Sequence, residues 1–178
     1  MTRSKAFLVT AFLLVAVVLG ATASPAQSGA QKATQLRALN RQVAAAINAY
    51  RLAHGLKPLK VSVGLGASSR QHSEEMGTDG YFDHPSADGT AFWKRIQRYY
   101  PSSDYSYWTV GENLLYATPS IGAVDALREW LASPEHRANI RSKTWRDLGV
   151  SSVHVVNAGG VYDGETVTII TTDFGARH

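Results

Sequence analysis

The spacing of apolar residues changes once along this chain, from a helical pattern to a strand pattern, and this change limits the folds open to it. Between residues 36 and 50, apolar side chains recur every three or four positions, which predicts an amphipathic helix. Residues 148–156 and 166–174 are rich in valine, threonine and isoleucine, and they predict two late strands. Because helices come first and a strand pair last, we predict an α+β fold with helices on both faces of a mostly antiparallel sheet.

Four helices are predicted ahead of the strands from apolar stripes and from their end signals. Gly55 ends the first helix as a C-terminal cap. Thr118 and Pro119 stand in the N-cap and first-turn positions that would open the fourth helix. The polar, aromatic stretch 101–110 is predicted as a loop, and a partly extended segment follows at 111–116. The helices are expected at about residues 31–54, 63–78, 91–99 and 118–132.

The first 23 residues have the pattern of a secretory signal peptide. Arg3 and Lys5 precede an uncharged apolar run, and Ala21-Thr22-Ala23 matches the A-x-A cleavage signal. The run is about 15 residues long, too short to cross a bilayer, so we expect no transmembrane anchor after cleavage. We therefore predict a signal peptide at 1–23, a flexible leader at 24–35 and a folded domain at 36–178.

Composition excludes several classes of function. The chain has no cysteine, so it has no cysteine nucleophile and no thiolate metal site. The net charge of +4 falls to +2 when Arg3 and Lys5 leave with the signal peptide. The remaining cations are scattered along the chain without a dense stripe, so nucleic-acid binding is not expected. We expect a secreted, extracellular protein, with free release as the default and association with the cell wall as the alternative.

Two histidines and one glutamate are the residues best suited to chemistry. His84 and His136 each stand in a loop or at an element boundary, and Glu112 lies at the mouth of a predicted strand. If these three segments converge, the imidazoles and the carboxylate would hold Zn²⁺, with Glu112 bound directly or through water. Two histidines are fewer than the three protein ligands of a typical catalytic zinc, so such a site would be weak. Without metal, Glu112 would serve as general base toward a water held by a histidine.

Several other residues have simpler explanations or a different role. His72 lies on the apolar face of the predicted second helix, and we interpret it as a core histidine. Ser133 lacks the G-x-S-x-G context of a serine nucleophile and is better explained as a helix cap. Trp130, near the end of a helix, is expected in the core. Trp108 and Tyr107 lie in the polar loop and are candidate ligand contacts.

Five separated segments form an ordered set of motifs over about residues 40–175. They are N-A-Y-R with G-L-K-P-L (48–59), A-S-S-R-Q-H-S-E-E-M with Y-F-D-H (67–84), G-E-N-L (111–114), W-L-A-S-P-E-H-R-A-N-I (130–140), and G-V with T-T-D-F-G (149–175). Together they resemble the CAP superfamily of cysteine-rich secretory, antigen five and plant pathogenesis-related proteins, in its bacterial, cysteine-free branch.

The resemblance implies a three-layer α-β-α sandwich with a central cleft. In the family, two histidines and two acidic residues line that cleft, and some members bind Zn²⁺ there. On this pattern His84 and His136 carry over as the histidines, and Glu112 as the first acid. Ser133 stands where eukaryotic members have the second acid. Glu129 and Glu135 are nearby, and the second acid is either replaced by one of them or absent.

Three functions are open at this point. The first is a secreted module that binds a lipid, a small molecule or a protein, as the resemblance implies. The second is a metal-assisted, protease-like hydrolase that uses the same histidines and Glu112. The third is a structural extracellular domain with a vestigial site. Because the set of acidic residues is incomplete, the binding and structural interpretations are favoured over an enzyme.

Overall fold

A six-stranded sheet forms the centre of the molecule. The computed structural model describes residues 5–6 and 32–178. Its strands are β1 (Lys5–Ala6), β2 (Thr34–Gln35), β3 (Lys60–Val61), β4 (Trp108–Thr118), β5 (Asp147–Val155) and β6 (Val167–Arg177). They are ordered β1-β4-β6-β5-β2 with antiparallel pairing, and β3 joins β5 in parallel. The predicted mostly antiparallel sheet is confirmed.

Helices cover both faces of this sheet and complete the three-layer α-β-α sandwich. The α-helices are α1 (Arg37–Ala53), α2 (Val63–Asp79), α3 (Phe92–Tyr99), α4 (Ala123–Ala132) and α5 (Pro134–Arg141), and a short 3-10 turn covers Gly160–Tyr162. No helix among the described residues is long and apolar enough to cross a membrane.

Alternation along β6 divides the hydrophobic core into two halves. Ile170 and Phe174 pack with buried residues of α1, α4 and α5 on one face. Ile169 and Val167 point to the opposite face, where Met76 of α2 joins their cluster. Because side chains of a strand alternate between faces, one central strand supplies both cores. With no cysteine in the chain, this double burial takes the place of disulfide cross-links.

The structure corrects two predicted helix starts. The first helix begins at Arg37 and not near residue 31, because Thr34–Gln35 pairs with β5 and places the end of the predicted leader in the sheet. The fourth helix begins at Ala123, since Thr118 is the last residue of the paired strand β4. The predicted signal peptide lies outside the described residues except for β1.

The guanidinium of Arg51 joins α1 to two later segments. Its Nε donates to the carbonyl of Lys57 at 2.9 Å, and its Nη1 donates to the carbonyls of Ile140 at 2.7 Å and Ser142 at 2.9 Å. The side chain is buried, and burial followed by the charge of Arg146 lowers its pKa. A planar group with several donors suits this set of carbonyls, which explains the arginine of the first motif.

Gly149 of β5 sets how closely α2 approaches the sheet. A Cβ at this position would overlap the backbone of Leu65 and Gly66 in the first turns of α2. Backbone atoms cannot move aside as the end of a flexible side chain can. The glycine therefore allows α2 to lie low on β5 and β6, which brings Ser68 and His72 into the buried layer beneath the site.

We expect Gly149→Ala to destabilise the fold by roughly 3 kcal/mol, because overpacking a rigid contact forces backbone shifts. Urea unfolding followed by circular dichroism measures this change. Gly66→Ala is the matched control, because its Cβ would meet no atom within 4 Å. Within a helix that substitution should raise stability by about 0.5–1 kcal/mol. Equal losses in both variants would contradict the close-approach account.

Candidate functional site

A cleft opens beside β4. It lies between α3 on one face of the sheet and α5 on the other. Strand β4 pairs with β6 along its length, and β1 reaches only Ala117 and Thr118 on the other side among the described residues. The cleft has a volume of about 380 Å³. We call it the His84 cleft, and it is lined by His84, Phe92, Val110, Gly111, Glu112, Asn139 and Trp145.

Glu112 fixes the ring of His84 at this cleft. The Nδ1–H of His84 donates to Oε1 of Glu112 at 2.8 Å, so Nε2 is left without a partner among the described residues. About half of the His84 side chain is exposed, whereas the Glu112 side chain is fully buried. The hydrogen bond to Glu112 raises the pKa of His84 in spite of partial burial. His84 is therefore held as a hydrogen-bonding group that faces the cleft.

Arg95 of α3 occupies the other oxygen of Glu112. Its Nη2 pairs with Oε2, while its Nη1 donates to the carbonyl of His84 and to Oγ of Ser86, both at 3.1 Å. Both partners of this ion pair are fully buried. Burial acts to raise the pKa of Glu112, but the hydrogen bond from His84 and the charge of Arg95 lower it overall. Glu112 is a buried carboxylate with both oxygens engaged.

Asp173 is the acidic residue that lies beside Glu112. The two residues are direct cross-strand partners on β4 and β6. Asp173 is fully buried, and neither of its oxygens nor Oγ of Ser68 has a hydrogen-bond partner among the described residues. Burial, and then the charge of Glu112, raises the pKa of Asp173 well above its usual range. Of the two neighbouring carboxyls, Asp173 is therefore the one whose pKa is raised and Glu112 the one whose pKa is lowered.

The two glutamates near the fourth motif, which are candidates for the second acid of the cleft, lie elsewhere. Glu135 is exposed at the start of α5, and Glu129 is partly exposed on α4. Neither lines the His84 cleft. Ser133 precedes α5 as its N-cap residue, as predicted, although its side chain makes no capping hydrogen bond.

His136 lies near the cleft without lining it. The carbonyl of His136 accepts a hydrogen bond from Nδ2 of Asn113 at 3.0 Å, which fastens α5 to β4. Its Nδ1 is buried and has no partner among the described residues. Burial, and then the charge of His84, lowers the pKa of His136, so the two imidazoles interact. The structure thus unites His84 with Glu112 and leaves His136 as a neighbour.

The G-E-N motif has a separate physical role at each position. Gly111 leaves room for the ring of Trp145, which a Cβ would approach to 2.9 Å. Glu112 accepts a hydrogen bond from the ring of His84, and Asn113 donates one to the carbonyl of His136 in α5. Asn139 of α5 completes the link by donating to the carbonyl of Glu112 at 3.2 Å and to Oδ1 of Asn113 at 2.8 Å.

Two further predictions concern the surroundings of the cleft. His72 is fully buried, as predicted, and its Nε2–H donates to the carbonyl of Asp83 at 2.8 Å, which anchors the segment that carries His84. Trp108 and Tyr107 do not line the cleft. Trp108 is half-buried in β4 and donates its indole N–H to the carbonyl of Tyr100, so the predicted loop ends one residue before it. A ligand-contact role for these two residues stays a prediction.

The donor set determines which zinc site this chain could form. Glu112 does not fit as a direct ligand, because His84 and Arg95 occupy its oxygens. No group of three or more His, Cys, Asp or Glu residues in the described part of the chain is arranged to hold a metal. Nε2 of His84 and Nδ1 of His136 have no hydrogen-bond partner among the described residues, so zinc binding by the two histidines stays a prediction. A carboxylate behind the histidine, as Glu112 stands, is the usual outer partner of such a ligand.

We expect Asp173→Asn to gain stability relative to the parent as the pH rises. A carboxyl whose pKa is raised in the folded state favours folding below its unfolded pKa and loses that contribution as the pH approaches the folded value. The difference in unfolding free energy should grow from about pH 4 upward, by at most about 1.4 kcal/mol per pH unit. Urea titrations at several pH values measure it.

Asp104→Asn is the control for this experiment, because it makes the same chemical change in an exposed loop. A similar rise with pH in both variants would contradict the raised pKa of Asp173.

Comparison with known proteins identifies the family. Residues 44–170 match the model of the cysteine-rich secretory protein family, CAP. YkwD, an uncharacterized protein of Bacillus subtilis, is 32% identical over 135 residues, which are 75% of this chain and 49% of that protein. The chain therefore spans about half the length of this relative.

Solved structures share the fold. An extracellular SCP-domain protein from Bacillus anthracis is 27% identical with a TM-score of 0.59, over 78% of this chain and 40% of that one. An outer surface protein of Borrelia burgdorferi is 16% identical with a TM-score of 0.60, over 83% of this chain and 100% of that one. The family match, the sandwich and the cleft agree, and this cysteine-free chain belongs to the bacterial members of the CAP family of cysteine-rich secretory proteins.

Proposed function

We propose that this protein is a secreted binding module. Its His84 cleft binds a portion of a small molecule, a lipid or a protein partner. The observation that carries the proposal is the half-exposed His84 ring, fixed by a buried carboxylate at the edge of a cleft. Extracellular relatives and the signal-like N-terminal segment support a location outside the cell, either free or at the cell wall.

The cleft combines one polar group with aromatic walls. Phe92 and Trp145 line it together with His84 and Asn139. Because the pKa of His84 is raised, its protonated ring is a donor for a carboxylate or another anionic oxygen in mildly acidic solution. An apolar part of the same ligand would lie against the aromatic rings. The chemistry therefore favours an anionic head group with an apolar tail.

Zinc is an accessory ligand in this proposal. His84 and His136 would hold it, and Glu112 would orient the ring of His84 from behind. Bound Zn²⁺ would supply Lewis-acid polarisation of an oxygen on the ligand. With two protein nitrogens, the affinity would be low compared with a three-ligand site.

Because Glu112 is buried, a binding function is better supported than hydrolysis. A general base must reach the proton that it removes, directly or through one water. Both oxygens of Glu112 are engaged, and its side chain has no exposed surface. Glu112 is thus a positioning residue for His84 in our proposal, and a hydrolase would need this pair to separate first. A vestigial site would bind neither zinc nor an anionic ligand.

Isothermal calorimetry with Zn²⁺ tests the metal part of the proposal. We expect binding with a dissociation constant on the order of micromolar or weaker, lost in His84→Ala and in His136→Ala. His154→Ala is the matched control, because His154 lies in β5 and its nearest polar partner is Thr168. Binding that is absent from the parent, or unchanged in both cleft variants, would rule out zinc at this site.

An NMR titration with hexanoate tests ligand binding without metal. We expect the amide shifts to move around His84, Phe92 and Trp145, more strongly at pH 6 than at pH 8, because the probe needs the protonated imidazole. His84→Ala should remove the response. Shifts spread over the whole surface, or a response indifferent to His84, would contradict ligand binding in the cleft and favour the structural role.

A further inference from the structure

Folding gathers five cations on a face that the linear sequence does not reveal. They come from the α1–β3 connection and β3, from the α5–β5 connection, and from the end of β6. We call this surface the cationic groove, defined by Lys57, Lys60, Lys143, Arg146 and Arg177.

The groove consists of two adjoining cavities. One has a volume of about 230 Å³ and includes Lys143, and the other has about 590 Å³ and includes Lys60 and Arg177. Lys57 and Arg146 line both, and so does Trp145. The shared residues make the two cavities neighbours, so the cationic surface that they span is longer than a site for one small anion requires.

The positive charges of the groove outnumber the acidic side chains that line it. None of the five cations forms an ion pair with a carboxylate within the described part of the chain. Asp147 is the one acidic side chain lining the two cavities, and it accepts a hydrogen bond from the hydroxyl of Tyr100 at 2.6 Å. Clustered like charges repel each other, which costs stability unless an anion covers them.

The two arginines of the groove are held in place, whereas the lysines are free to adjust. Nη1 of Arg146 donates to the carbonyls of Lys143, Thr144 and Trp145 at 2.8–3.1 Å. The guanidinium of Arg177 lies 3.9 Å from the centre of the Tyr100 ring and 4.5 Å from that of Tyr105. Fixed guanidinium groups beside mobile ammonium groups are a combination that suits the oxygens of phosphate.

From this geometry we propose that the cationic groove binds a linear, phosphate-bearing polyanion. The length of the two joined cavities favours a chain over a single phosphate ion. Trp145 is only 9% exposed, so the groove offers no open aromatic face on which nucleic-acid bases would stack. The proposal does not rest on the function of the His84 cleft, because the five cations lie outside it and Trp145 is the one described residue that lines both surfaces.

The test is the binding of medium-chain inorganic polyphosphate to the whole protein at low ionic strength. We expect binding that weakens steeply as salt is added, because counterions are released on association. The double variant Lys57→Gln with Lys143→Gln should lower the affinity about tenfold or more, since each lost phosphate contact reduces the number of counterions released on binding. Their side chains make no hydrogen bond within the described residues, so thermal unfolding should be unchanged.

The matched control is Arg37→Gln with Arg41→Gln, which removes the same charge at the opposite end of α1. A helix rises 1.5 Å per residue, which places Arg37 roughly 24 Å from the end of α1 nearest the groove. We expect less than a twofold change in this variant. Equal weakening in both pairs would overturn the proposal, because it would show a response to net charge alone.

Two further binding experiments distinguish a polymeric ligand from other anions. Orthophosphate at the same phosphate concentration should bind far more weakly, and equal binding would refute an extended site. Vesicles of phosphatidylglycerol in phosphatidylcholine should show no dependence on Lys57 and Lys143. Groove-dependent binding to these vesicles without binding to polyphosphate would overturn the polymer and indicate a lipid surface.

Discussion

The buried ion pair between Arg95 and Glu112 is the interaction on which the rest of the cleft depends. Two charges removed from water are stable together only when their remaining donors and acceptors are also satisfied. Glu112 meets this condition through the ring of His84, and Arg95 meets it at Nη1 through the carbonyl of His84 and the hydroxyl of Ser86. Nε of Arg95 is buried without a partner among the described residues. The pair therefore fixes both the backbone and the side chain of the one histidine that faces the cleft.

The pair also determines the state of the neighbouring carboxyl. Asp173 lies directly across from Glu112 in a region without solvent, and two ionised carboxylates there would repel strongly. Since Arg95 and His84 stabilise the charge on Glu112, the pKa of Glu112 is lowered and that of Asp173 is raised. One acid serves as an anion that orients His84, and the other as a neutral side chain within the core.

The sequence predicts the layers of this fold better than the contacts between them. The spacing of apolar residues and the local composition are enough to predict the helices and the late strands. The motifs identify His84 and Glu112 as residues of one cleft. The role of Asp173 depends on the register between β4 and β6, which sequence spacing does not define.

Arg95 could have been found from the sequence. It falls three residues after Phe92 and four before Tyr99, so it shares a helix face with these aromatic residues of α3. A charge in that position implies a buried partner. The cationic groove could not have been found in this way, because Lys57, Lys143 and Arg177 are far apart in sequence and meet only after the sheet has formed.

Trp145 gives the two proposed sites a common wall. Its indole lines the His84 cleft and both cavities of the cationic groove, and its Nε1–H is fixed on the carbonyl of Asn139 at 3.0 Å. Because one fixed ring forms part of both walls, the shape of each surface depends on the same side chain. A substitution at Trp145 would therefore alter both proposed sites, whereas a change at His84 or at the five cations alters one of them.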